Sequence, residues 1–126
     1  MIRIVGIQRH EDPRQEFVLL QNQGSMKLNL RGYALVAERA MDDPAGLQEI
    51  FLLRDDVDLL PGNYALVISG PGRCRWCHKT EGYHVYYAHL ERETAIWDRL
   101  RGPLHLLAPS HSYVERATEP LFVGRR

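Results

Sequence analysis

The chain has no net charge, because 16 Lys and Arg face 16 Asp and Glu among its 126 residues. A balanced chain has no overall field to draw it onto phosphate backbones or anionic lipid, so nucleic-acid binding would need a local basic patch. Arg99, Arg101, Arg125 and Arg126 offer a small one, but Asp98, Glu91 and Glu93 lie close to it in sequence, and nucleic acid is not expected as a partner. Long apolar runs are also missing, and no window approaches the ~20 residues of a spanning helix. Residues 1–10 lack the apolar core and small-residue cleavage site of a secretory signal. The expectation is a cytoplasmic protein with no membrane contact. With only Cys74 and Cys77 present, a disulfide scaffold is excluded, and a reducing compartment disfavours a structural bridge between the two.

Assembled catalytic motifs are absent too. Ser69-Gly70-Pro71-Gly72 lacks the Lys and Ser or Thr of a phosphate loop. Asp55-Asp56-Val57-Asp58 lacks the Gly and distal Glu of a calcium loop. His10 beside Glu11-Asp12, with His105 and His111 elsewhere, comes with no nucleophile on a recognisable elbow. These segments read as turns, and an enzyme is not expected.

What the chain does carry is alternation. Ile2-Arg3-Ile4-Val5-Gly6-Ile7 has the period-2 pattern of a half-buried strand, and Glu16-Phe17-Val18-Leu19-Leu20-Gln21-Asn22 reads as a core strand ended by Gln23-Gly24-Ser25, with Gly24 as the residue tolerating positive φ. Leu28 and Leu30 share one side of an extended segment, and Gly32 redirects the chain before Tyr33-Ala34-Leu35-Val36. Residues 38–48 read as a surface loop without helix. Ile50-Phe51-Leu52-Leu53 resumes an apolar strand, and Leu60-Pro61-Gly62-Asn63 predicts a type II turn feeding a strand through Ile68. Residues 70–82 read as loop, residues 83–88 as an aromatic, β-branched strand, and Leu104-His105-Leu106-Leu107 and residues 113–117 as the last strands. A helical turn within residues 89–97 would not alter the class. About eight or nine short strands with closely spaced turns predict one all-β domain over residues 1–126, a sandwich or barrel of a size that buries roughly two thirds of its unfolded surface.

Two strings sharpen this. Glu16-Phe17-Val18-Leu19-Leu20-Gln21-Asn22-Gln23-Gly24, followed by Leu28-Asn29-Leu30-Arg31-Gly32-Tyr33-Ala34-Leu35, resembles the opening of a lamin-tail domain, which typically reads Glu-Phe-Val-Glu-Leu-x-Asn-x-Gly and then Val-Asp-Leu-x-Gly-Trp-x-Leu. Leu60-Pro61-Gly62-Asn63-Tyr64-Ala65-Leu66-Val67 is similar to the family's Pro-Gly turn and following strand, and Ile96-Trp97-Asp98 and Leu104-His105-Leu106-Leu107 resemble its closing segments. The resemblance implies an immunoglobulin-like β-sandwich without common catalytic residues, used for adhesion, anchoring or nucleic-acid handling beside other modules. The pattern is departed from at Leu19, where an acid is common, at Tyr33, where Trp is common, and between Cys74 and His89.

That departing region holds the distinctive chemistry. Cys74-Arg75-Trp76-Cys77-His78 matches the attachment string of c-type haem, which is not expected here because attachment occurs outside the cytoplasm and no export signal is read in residues 1–10. A thioredoxin-like role would need a helix N-terminus in an α/β setting. Zinc is the alternative worth keeping, with Cys74 and Cys77 joined by one or two of His78, His84 and His89, although His84 and His89 differ by an odd number and face opposite sides of a regular strand. Otherwise no cofactor is expected. Trp76, Tyr83, Tyr86 and Tyr87 are candidate partner-binding residues; alternation sends Tyr83 and Tyr87 to one face and Tyr86 to the other, so one set is expected in the core, and the other, if exposed, would serve a protein partner or a second copy, core packing of both being the alternative. The function expected from the sequence is therefore a non-enzymatic interaction or scaffolding module using loop 70–82 and the adjacent aromatic strand.

Overall fold

The alternating runs become strands in the computed structural model, which describes residues 1–43, 49–78 and 82–110. The described strands are β1 (Ile2–Gln8), β2 (Phe17–Asn22), β3 (Leu28–Asn29), β4 (Ala34–Ala37), β5 (Ile50–Leu52), β6 (Asp58–Leu59), β7 (Tyr64–Ile68), β8 (Arg75–His78), β9 (His84–His89) and β10 (Leu104–Leu107). One helical turn, α1 (Glu38–Met41), follows β4. The all-β sandwich-like class expected from the sequence is what the chain adopts. Two local expectations change: a strand, β8, lies inside the segment read as loop, and α1 begins the segment read as helix-free. Residues 93–100 form bends and turns, with Leu100 N–H donating to the Ile96 carbonyl at 3.2 Å. The strand expected at 113–117 lies outside the described residues.

Five strands make the larger sheet, in the order β1-β2-β7-β9-β8, and three make the smaller, β10-β4-β5; β3 and β6 pair separately. The larger sheet is mixed, because β7 and β9 run parallel while its other neighbours are antiparallel. A parallel pair needs a crossover. Here the chain between β7 and β9 makes it and, on the way back, lays β8 along the far edge of β9.

Alternation decides what is buried. On β2, Val18, Leu20 and Asn22 point inward, while Phe17, Leu19 and Gln21 stay half-buried on the outward face. Register carries these faces across the sheet, so that Leu20, Ala65, Tyr86 and Trp76 fall in one inward row and Leu19, Leu66, Tyr87 and Arg75 in one outward row. The inward side packs on Leu35, Phe51 and Leu59 of the opposing strands and on Ile96 and Trp97, both fully buried; Trp97 meets Phe51 edge to face at 6.3 Å. The outward side of the larger sheet contributes to neither buried cluster.

The turns supply the remaining geometry. Asn63 N–H donates to the Leu60 carbonyl at 3.0 Å across Pro61-Gly62, with Gly62 at φ 89°, the type II geometry that the sequence predicts. Gly24 has a different reason for being glycine. It is not among the positive-φ residues, and a side chain there would run into the backbone nitrogen of Met1.

Two fully buried polar side chains bracket β2. Just before it, Glu16 accepts from Ser69 Oγ (2.7 Å), Ile96 N (2.7 Å) and Trp97 N (3.1 Å) on one oxygen, and from Asp98 N (2.7 Å) and His10 N (3.4 Å) on the other. At its end, Asn22 Nδ2 donates to the Met26 and Leu59 carbonyls, both at 2.8 Å, and its Oδ1 accepts from Gly24 N at 3.0 Å. Buried polar groups are tolerated when satisfied in this way, and removing one partner strands the others. Glu16→Ala is expected to lower unfolding stability by ~3 kcal/mol and Ser69→Ala by ~1 kcal/mol, the larger loss reflecting several donors left unpaired at once. Urea unfolding of the two variants measures both.

Candidate interaction surface

The β8–β9 hairpin gathers the aromatic residues singled out in the sequence, and its register sorts them. Arg75 lies opposite Tyr87, Trp76 opposite Tyr86, Cys77 opposite Val85 and His78 opposite His84. Directly opposed residues share a face. Trp76 and Tyr86 therefore meet on the inward side, with ring centroids 5.4 Å apart, and Trp76 also packs edge-on to His84 at 6.3 Å. Tyr87 faces outward under the Arg75 guanidinium, which sits 5.2 Å from its ring centre. Tyr83, immediately before β9, rests edge-on against Tyr64 at 5.8 Å.

Depth separates these side chains further. Tyr86 is only 8% exposed and belongs to the core, so it is not available to a partner. Trp76 and Tyr83 are each 44% exposed. The difference follows from position in the sheet: β9 lies between two strands, whereas β8 is the edge strand, and its inward side chain reaches past the opposing layer.

The Tyr86 hydroxyl donates to Asp55 Oδ2 at 2.6 Å, which joins the hairpin to the segment after β5. Burial pushes this phenol well above its ordinary range, helped by the hydrogen bond to Asp55, the Asp55 charge and the neighbouring Cys74 thiol. Cys74 thus stands beside an inward-facing side chain, while Cys77 lies opposite Val85 on the outward face. Residues three apart on an extended chain point to opposite sides, and the hairpin keeps the two sulfurs apart for that reason.

The histidines are likewise dispersed. His84 shares the inward face with Trp76, and His89 stands at the other end of β9, ~17 Å along the strand by its rise. The His89 ring packs tightly on Gly72, where any side chain would overlap it, and its Nδ1 is buried with no hydrogen-bond partner among the described residues. Among those residues no three His, Cys, Asp or Glu side chains converge as metal ligands do. Cys74, Cys77, His84 and His89 are therefore not brought together, and the side chain of His78 lies outside the description.

One arrangement has no counterpart in the sequence reading. A groove of about 420 Å³ runs between β5 and the chain leaving β9, lined by Phe51, Arg54, Asp55, His89, Glu91 and Arg92 among others. The Arg92 guanidinium lies 5.3 Å from the Phe51 ring centre, and Glu91 holds φ at 58°. No local motif announces this groove, because its residues come from two segments far apart in the chain. The one available signal is Glu91-Arg92 directly after a strand, which looks like any solvated turn.

Two outcomes follow for this region. A raised phenol pKa means that the folded state holds its proton longer than the unfolded chain; that stability is complete below the ordinary tyrosine value of ~10 and declines as pH rises above it. Tyr86→Phe is expected to flatten the alkaline fall in melting temperature, measured from pH 8 to pH 11. Protein purified without added zinc is expected to hold less than one metal per chain, and Cys74→Ser to leave its melting temperature unchanged; elemental analysis and thermal unfolding check both. Comparison with protein-family models, curated proteins and solved structures gave no match, so the surface stands on its geometry alone.

Proposed function

We propose that the chain is a lamin-tail-like domain with an immunoglobulin-like sandwich, working in the cytoplasm as a non-enzymatic interaction or scaffolding module. It holds a protein partner or a second copy of itself at the β8–β9 hairpin. The residues behind the resemblance support this by the jobs they do: Glu16 and Asn22 bracket β2, Gly62 makes the turn into β7, and Trp97 fills the core. They are occupied with structure, which fits a family that shares a scaffold and no catalytic site.

The observation that carries the reading is Trp76. A large aromatic side chain is 44% exposed on an edge strand that pairs with β9 alone among the described strands, and Tyr83 is equally exposed at the start of that neighbour. Edge strands offer unpaired backbone groups to an incoming strand, and exposed Trp and Tyr anchor such contacts with large apolar area and little side-chain entropy. Asp55 and Glu16 are held by Tyr86 and by backbone donors, an engagement suited to fixed structural roles.

The test is self-association by sedimentation velocity, together with capture of a partner on immobilised protein. Trp76→Ala and Tyr83→Ala are each expected to weaken the observed association about tenfold or more, the effect of losing an aromatic anchor. Association unchanged in both variants would remove the hairpin from this role. Tyr86→Ala is unsuitable as a probe, because it opens the core.

A further inference from the structure

The larger sheet has a second property, independent of the hairpin's exposed aromatics. Its five strands contain no Asp or Glu at all. The described acids sit in loops and turns, in α1 and at Asp58 of β6, while the strands of this sheet are apolar and basic. Across the middle of its outward face run Leu19, Leu66 and Tyr87, all half-buried and none of them in a core cluster. Exposed Arg3 stands on β1 at one edge and exposed Arg75 on β8 at the other. An apolar strip bounded by guanidiniums, with no carboxylate on the strands between them, is complementary to an apolar segment flanked by acids.

We propose that this outward face docks an acidic protein segment, whose apolar side chains settle on Leu19, Leu66 and Tyr87 while its carboxylates meet Arg3 and Arg75. The proposal rests on the interaction-module reading and names the partner's chemistry. Five strands span about 19 Å from edge to edge, the reach of roughly six extended residues laid across them. The Arg75 guanidinium already sits over the Tyr87 ring, 5.2 Å from its centre, on the face where a carboxylate of the segment would approach.

Other occupants fit less well. A second copy laid face to face would oppose arginine rims with no carboxylate on either side to neutralise them. A single-stranded nucleic acid wants a continuous basic track; here the strands of the face offer two rim arginines about 19 Å apart, which would neutralise few phosphates.

The probe is a fluorescein-labelled octapeptide with two Glu at each end and Leu-Phe-Leu-Leu between them, titrated with the full chain by fluorescence anisotropy. Binding is expected to weaken about tenfold or more in the double variant Arg3→Glu, Arg75→Glu, and to weaken as salt is raised from 50 to 300 mM. A peptide with Lys in place of every Glu is expected to bind the natural chain poorly and the double variant well. This swap keeps the test decisive, since a misfolded variant would gain nothing. Equal binding of both peptides to the natural chain, an absence of binding to either, or tighter binding of a labelled oligo-dT would each overturn the proposal. The titration reads charge at Arg3 and Arg75, whereas Trp76→Ala and Tyr83→Ala read the aromatic anchors, so it can fail while the hairpin's role stands.

Discussion

A single carboxylate holds the ends of this fold in register. Glu16 closes a span of some eighty residues by accepting the backbone N–H groups of Ile96, Trp97 and Asp98, and it ties the exit of β7 to the entry of β2 through Ser69. A turn of chain crossing the mouth of a sandwich has three successive amides that no strand partner can satisfy. Supplying an ionisable side chain from the neighbouring strand solves that problem without water. The same contacts aim Ile96 and Trp97 into the core, so the placement of the largest buried side chain depends on a polar group. Neutral hydrophobic burial could fill that space in many ways. The fixed donors select one of them.

From this anchored end the rest of the molecule can be followed outward. Asn22 repeats the device at the other end of β2, so the central strand is held at both ends by side chains that satisfy loop backbone. With β2 fixed, β7 aligns against it, β9 follows in parallel and β8 is added last, at the margin. Exposure rises along the same series. Ala65 on β7 and Tyr86 on β9 are sealed, and Trp76 on β8 is open. The gradient leaves an exposed aromatic margin beside a well-packed core without weakening it.

The sequence made the class of fold legible because that information is local. Period-2 alternation in residues 2–7 and 17–22, and the Pro61-Gly62 pair, each fix a backbone conformation within a few residues, and all three appear as read. Alternation also separated Tyr86 from Tyr87 correctly, but it left open which of them is core. Choosing between faces needs the opposing layer, and Phe51 and Leu35 are invisible to a window around β9. The role of Glu16 as a buried acceptor is hidden for the same reason: its donors lie at positions 96–98 and 69. β8 was hidden because Arg, Cys and Gly around Trp76 carry little strand propensity, and the strand exists through its pairing with β9. The candidate metal ligands share a short string, and proximity in sequence was a poor guide because an extended chain sends Cys74 and Cys77 to opposite sides.

The marginal position of β8 has a consequence for how such a domain diversifies. Among the described strands β8 pairs only with β9, and the resemblance to lamin-tail domains breaks down between Cys74 and His89. An appendage joined along one seam can be lengthened, shortened or rewritten while Glu16, Asn22 and Trp97 go on holding the frame. On the proposed function, recognition would then be an exchangeable part, free to track a changing partner at a pace the buried residues could not survive.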